Sequence, residues 1–220
     1  MILGTCLCVA LLILRVAHSH TSMYMGLLWN LFLAWLPVLS SLIVYNLYKK
    51  RSYLTWMVVV ASTLIWLLFF PNAFYLVTDV LHLKQPRVDA PYWYDLIVVV
   101  AFAWTGCFLG MVSLFLMQAL VRKMAGAFAS WIFAIGVLCI SGFGVYLGYF
   151  LRWNSWDIFI KPARLMKDVL VRIRHPFANS QTYVFSVLFS LFFICAYLML
   201  VSAAQFQREV QSPDSAVPKK

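Results

Sequence analysis

Residues 96–121 read LIVVVAFAWTGCFLGMVSLFLMQALV, and residues 126–150 read GAFASWIFAIGVLCISGFGVYLGYF. Neither run contains an Asp, Glu, Lys or Arg, and the short connection between them carries Arg122 and Lys123. A bilayer core about 30 Å thick takes roughly 20 apolar residues in a helix, so each run is long enough to span one alone. Working outward, similar runs occur at 2–17, 26–47, 53–70 and 182–203. The pattern predicts an all-α, polytopic helix bundle of about six spans. It forms a single domain over 1–207, followed by a disordered polar tail at 208–220. The first run is the shortest and ends on Arg15; a cleaved signal peptide is the alternative there, but no basic segment precedes it.

Composition agrees with this reading. Hydrophobic residues make up 64% of the 220 and charged residues 11%, against about 45–50% and 25% in soluble domains. Seventeen Lys and Arg against seven Asp and Glu give a formal charge of +10. The cations lie between the apolar runs, which points to anionic phospholipid head groups rather than nucleic acid. The five cysteines, Cys6, Cys8, Cys107, Cys139 and Cys195, fall inside the runs without a CxxC pair and read as small buried apolar residues. Gly106/Gly110 and Gly144/Gly148 have the GxxxG spacing that lets helix backbones approach. They predict close packing within the chain, with a homodimer seam as the alternative. No cofactor-binding signature is present.

Short basic turns set sidedness. Lys49-Lys50-Arg51 and Arg122-Lys123 share one face with the C-terminus, and that face is expected to be cytoplasmic. By parity, the loops after the first, third and fifth runs share the other face, with all four histidines and most acidic residues. There, residues 71–83 read PNAFYLVTDVLHL. Pro71 should kink or restart the helix, and Asn72 could satisfy a freed backbone group. Asp79 and His82, three apart, suit a proton-transfer pair, a metal site or a polar helix end. Residues 91–95, PYWYD, give an interfacial aromatic belt and then Asp95 as a helix cap. Residues 142–157 read GFGVYLGYFLRWNSWD. Trp153 and Trp156 suit the head-group level, Arg152 offers a planar fork for phosphate or carboxylate, and Asp157 could cap the next segment. Residues 158–174 have the 3.6-residue periodicity of a basic amphipathic helix lying on the membrane surface. His18 and His20 form an HxH pair, and His175 precedes a proline.

These three linked blocks resemble an uncharacterised bacterial multi-pass membrane family, domain of unknown function 1361, over residues 27–203. The resemblance implies a bacterial integral membrane protein, multi-pass in the plasma membrane, and brings no reaction. Phe74 stands where that family often has proline, which implies a milder kink after Asn72.

Three functional classes follow. The favoured one is a polar site on the extracytoplasmic face, formed by Asn72, Asp79, His82, Asp95, Arg152, Asn154 and Asp157. It would bind an anionic lipid, a lipid-linked molecule or a small solute. The second is a membrane hydrolase or transferase using Asp79 and His82 as base or metal ligands. The third is a structural or assembly subunit.

Overall fold

The computed structural model describes residues 1–19, 24–50, 52–83 and 91–211, apart from the side chains of residues 82, 208 and 209. The fold is all-α: α1 (Ile2–Ser19), α2 (Met25–Leu47), α3 (Tyr53–Tyr75), α4 (Tyr92–Leu151), α5 (Asp157–Ile160), α6 (Pro162–Arg174) and α7 (Ser180–Gln211). A short 3-10 segment, Thr78–His82, follows α3, and another, Phe177–Asn179, leads into α7. Five of these helices are long and apolar enough to cross a membrane.

The longest helix is two. A straight helix of 60 residues would extend about 90 Å at 1.5 Å per residue, about three bilayer cores. Gly126 breaks it with φ 87° and ψ 175°, a conformation essentially restricted to glycine. The two limbs, 92–125 and 127–151, both return to α3. Gly110 of the first limb lies against Ala73 and Phe74, and Gly144 of the second against Pro71. The six apolar runs thus correspond to six helical rods.

The limbs of α4 form the middle of the bundle, with α1, α2, α3 and α7 packed around them. One core joins Trp66, Phe70 and Phe74 of α3 to Leu114 and Leu138 of α4 and Phe193 and Tyr197 of α7. A second joins Cys8 and Leu12 of α1 to Leu31 and Val38 of α2 and Phe102 of α4. Buried polar groups pair across helices: the Trp66 indole donates to Ser113 Oγ at 3.2 Å, and the Tyr197 hydroxyl donates to Gln118 Oε1. The outer surface is lined by exposed apolar side chains such as Leu3, Leu64, Trp104, Phe128 and Leu191. A surface so apolar is what a lipid-facing bundle presents.

The packing meets some expectations and corrects others. α3 does not stop at residue 70; it continues through Pro71 to Tyr75, because the second limb of α4 packs on that last turn. Both GxxxG pairs face α3 inside the chain: a Cβ on Gly106 would meet Leu76 at 2.4 Å, and one on Gly148 would meet Tyr75 at 3.1 Å. Those two faces are therefore already covered. The predicted surface helix is divided at Lys161 into α5 and α6, with Pro162 starting α6. None of the residues of α6 is buried. α7 runs to Gln211, into the stretch read as tail. Cys8 and Cys107 are buried as expected, whereas Cys6, Cys139 and Cys195 lie on the exposed apolar surface.

Candidate functional site

Two polar assemblies lie at the same end of the bundle. The deeper one joins α1 to α4. Asp95, in the first turn of α4, makes no side-chain cap. Its carboxylate instead receives Arg15 Nε on Oδ1, and Arg15 Nη2 at 3.2 Å and the Tyr24 hydroxyl at 3.2 Å on Oδ2. Arg15 and Asp95 are only 2% and 5% exposed. The guanidinium also lies 5.8 Å from the centroid of the Tyr24 ring. Buried charges persist where they are paired and hydrogen-bonded, and this forked contact does both. The sequence reading missed Arg15 by taking it as the ragged end of a short span. Its signal was the excess of one cation in an apolar helix that faces one carboxylate in another.

The second assembly surrounds a cavity of about 1160 Å³ between α2, α3 and the second limb of α4. Its lining includes Asn72, Asp79, Arg152 and Asn154 from the expected set, and also Asn30, Tyr75, Tyr149 and Ser155. The expected set is therefore divided. Asp95 belongs to the Arg15 pair and does not line this cavity. Asp157 does not line it either, and makes no cap for α5; its Oδ2 accepts the Asn154 backbone N–H at 2.8 Å and the Asn154 side-chain amide at 3.4 Å. It thereby fixes the loop that carries Asn154. His82 ends the 3-10 segment, and its side chain lies outside the described residues, as does the whole of His20. His18 closes α1 and His175 closes α6. Among the described residues no group of three His, Cys, Asp or Glu side chains gathers as a metal site would.

The proline region organises one wall. Pro71 cannot donate the helical hydrogen bond expected from its position. Asn72 was expected to reach the backbone here, but its Nδ2 donates to Ser155 Oγ at 3.1 Å, and Ser155 donates in turn to the Leu68 carbonyl at 3.0 Å. This relay ties the loop after α4 to the end of α3. Opposite it, Asn30 Nδ2 donates to Asp79 Oδ2 at 3.2 Å, so α2 holds the carboxylate. The Tyr75 phenol lies within electrostatic reach of both Asp79 and Arg152.

Arg152 occupies an uncommon backbone position. At the C-terminal end of α4 it has φ 57° and ψ 35°, where a Cβ costs about 1–2 kcal/mol. The Arg152 N–H and, at 3.2 Å, the Trp153 N–H both turn back on the Leu147 carbonyl, closing the helix end at a left-handed position where glycine is usual. The arginine side chain is exposed and has no hydrogen-bond or ion-pair partner among the described residues. Next to it, the Trp153 indole donates to Asp168 Oδ2 of α6 at 3.0 Å, and Arg164 lies 5.9 Å from the Trp153 ring centroid. Leu165 of α6 lines the cavity as well, so the amphipathic helix forms part of its rim.

A family model described as a protein of unknown function (DUF1361) matches residues 29–196, and the chain belongs to this family. The match includes every residue of the cavity lining. It leaves out α1 and hence Arg15. No curated protein and no solved structure matches the chain.

Proposed function

We propose that this family member crosses the membrane six times and holds an amphiphile in the cavity beside Arg152. A phosphate or similar anionic group would sit at the guanidinium, with the apolar tail along α3 and the second limb of α4. Arg152 carries the reading. A non-glycine residue in a strained conformation invites a functional explanation, and this one presents a planar, permanently charged fork at a cavity mouth, with no ion-pair partner among the described residues. Arginine matches phosphate geometry bidentately.

The shape of the cavity supports an amphiphile over a small polar solute. Leu64, Leu67 and Ile140 line it and are also exposed on the outer surface, so it opens sideways toward the lipid. Its polar lining includes Asn30, Asn72 and Asn154, each of which keeps one amide N–H for a headgroup beyond its bond to Asp79, Ser155 or Asp157. Such a division, apolar wall and few convergent polar groups, is typical of ligand sites.

The test uses the full-length chain in detergent, with a polyisoprenyl phosphate and the corresponding uncharged polyisoprenol as probes in native mass spectrometry. The phosphate should be retained in preference to the alcohol. Arg152→Gly should cut that retention by about tenfold or more, the scale of one charge-assisted contact, while removing the backbone strain and leaving the fold at least as stable. Equal retention of both probes, or unchanged binding in R152G, would overturn the reading.

A further inference from the structure

At the opposite end of the bundle the chain collects cations. Lys123 Nζ donates to the Tyr45 hydroxyl at 3.3 Å and lies 5.0 Å from the Tyr45 ring centroid and 6.0 Å from that of Tyr48. Lys49 Nζ lies 5.9 Å from the other described partner, the Tyr48 ring centroid. Arg122 precedes Lys123 on the last turns before the Gly126 break. Two tyrosines at the end of α2 thus hold one lysine from α4 and attract another from their own turn. No carboxylate faces them among the described residues.

Arg122 and Lys123 border a cleft of about 630 Å³ between the two limbs of α4, the end of α2 and α7. Arg122, Lys123, Tyr45, Gln118 and Gln205 form its polar part; Phe115, Leu116, Trp131 and Val201 form its apolar part. Like charges gathered at one mouth repel one another, and an anion between them converts that repulsion into attraction. Basic pockets between membrane helices take acidic lipid head groups for this reason.

We infer that this cleft is a second, separate lipid site, taking an anionic diacyl phospholipid whose phosphate lies between Arg122 and Lys123 and whose acyl chain follows Phe115, Leu116 and Trp131. A free phosphate would share the headgroup chemistry but leave the apolar part of the cleft unused. The inference is independent of the Arg152 cavity, which lies at the other end of the bundle.

Native mass spectrometry on the full-length chain, exchanged into detergent with equal phosphatidylglycerol and phosphatidylcholine, tests it. Phosphatidylglycerol should be retained preferentially. Arg122→Gln with Lys123→Gln should weaken its retention about thirtyfold, roughly fivefold for each cation near the surface. Tyr45→Phe keeps the ring and removes the hydroxyl that receives Lys123, so it should give a smaller loss without a charge change. R152G should leave phosphatidylglycerol binding unchanged. Equal retention of the two phospholipids, or undiminished retention in the double variant, would overturn the inference. Complete displacement by millimolar inorganic phosphate would also overturn it, and would assign the cleft to a soluble anion.

Discussion

Arg15 and Asp95 illustrate how a charge can be read correctly as to type and wrongly as to role. Asp95 stands where helix caps usually stand, and local rules favour that use. A tertiary partner some 80 residues away in sequence overrides them. The energetic consequence is asymmetric. Removing one member leaves the other buried and uncompensated, at a cost of about 3–5 kcal/mol, whereas an apolar pair of similar volume is often neutral or better. Asp95→Ala should therefore lower the thermal midpoint of the purified chain sharply, and Arg15→Met with Asp95→Leu should restore most of it. If D95A melts like the parent protein, the pair contributes little to the fold. Asn72, Asp79, Arg152 and Asn154 were visible in the sequence as a group because polar residues at the ends of apolar runs are few. Asn30 and Tyr75 were not, since an asparagine or tyrosine inside a run gives no signal until the neighbouring helix is in place.

The elements themselves were largely legible, because uninterrupted apolar runs between charged turns have few alternatives. Their ends were less so. Pro71 suggested a boundary, yet α3 continues past it because α4 covers that turn and Ser155 reaches the Leu68 carbonyl. The division of α5 from α6 at Lys161 follows from Pro162, which suits the first turn of a helix. The separation of the two limbs of α4 rests on one residue. Gly126 has open space around its Cα, so a methyl group there meets no neighbour and only the backbone conformation is at issue. Gly126→Ala should cost about 1–3 kcal/mol through backbone strain alone. Gly136→Ala, with equally open surroundings but at a helical position, should be neutral or slightly stabilising. Melting curves of the two variants side by side would test this; equal midpoints would show that the break does not depend on glycine.

At the scale of the whole molecule, the polar assemblies and the basic corner lie at opposite ends of the bundle. The ends of α1, α3 and the second limb of α4 meet the starts of α2 and the first limb at one pole, where both polar assemblies lie. The basic corner of Tyr45, Tyr48 and Lys123 occupies the other. The short basic turns predict that this second pole faces the cytoplasm. Single cysteines at Ser19 and Lys50, in a background lacking the five native cysteines, should separate the poles. Position 19 should react with an impermeant thiol reagent added to intact cells and position 50 only after lysis; the reverse pattern would invert the assignment.

The buried ion pair also has a meaning in time. Arg15 leaves the ribosome 80 residues before the carboxylate that neutralises it, an interval of several seconds at about 5–20 residues per second. During that interval α1 has its cation and no counterion, so it cannot take up its final depth beside Phe102 and Thr105. α1 is thus made well before the limb of α4 on which it is seated. A chain interrupted before residue 95 would carry this unmatched charge indefinitely, a simple mark by which an unfinished product differs from a finished one.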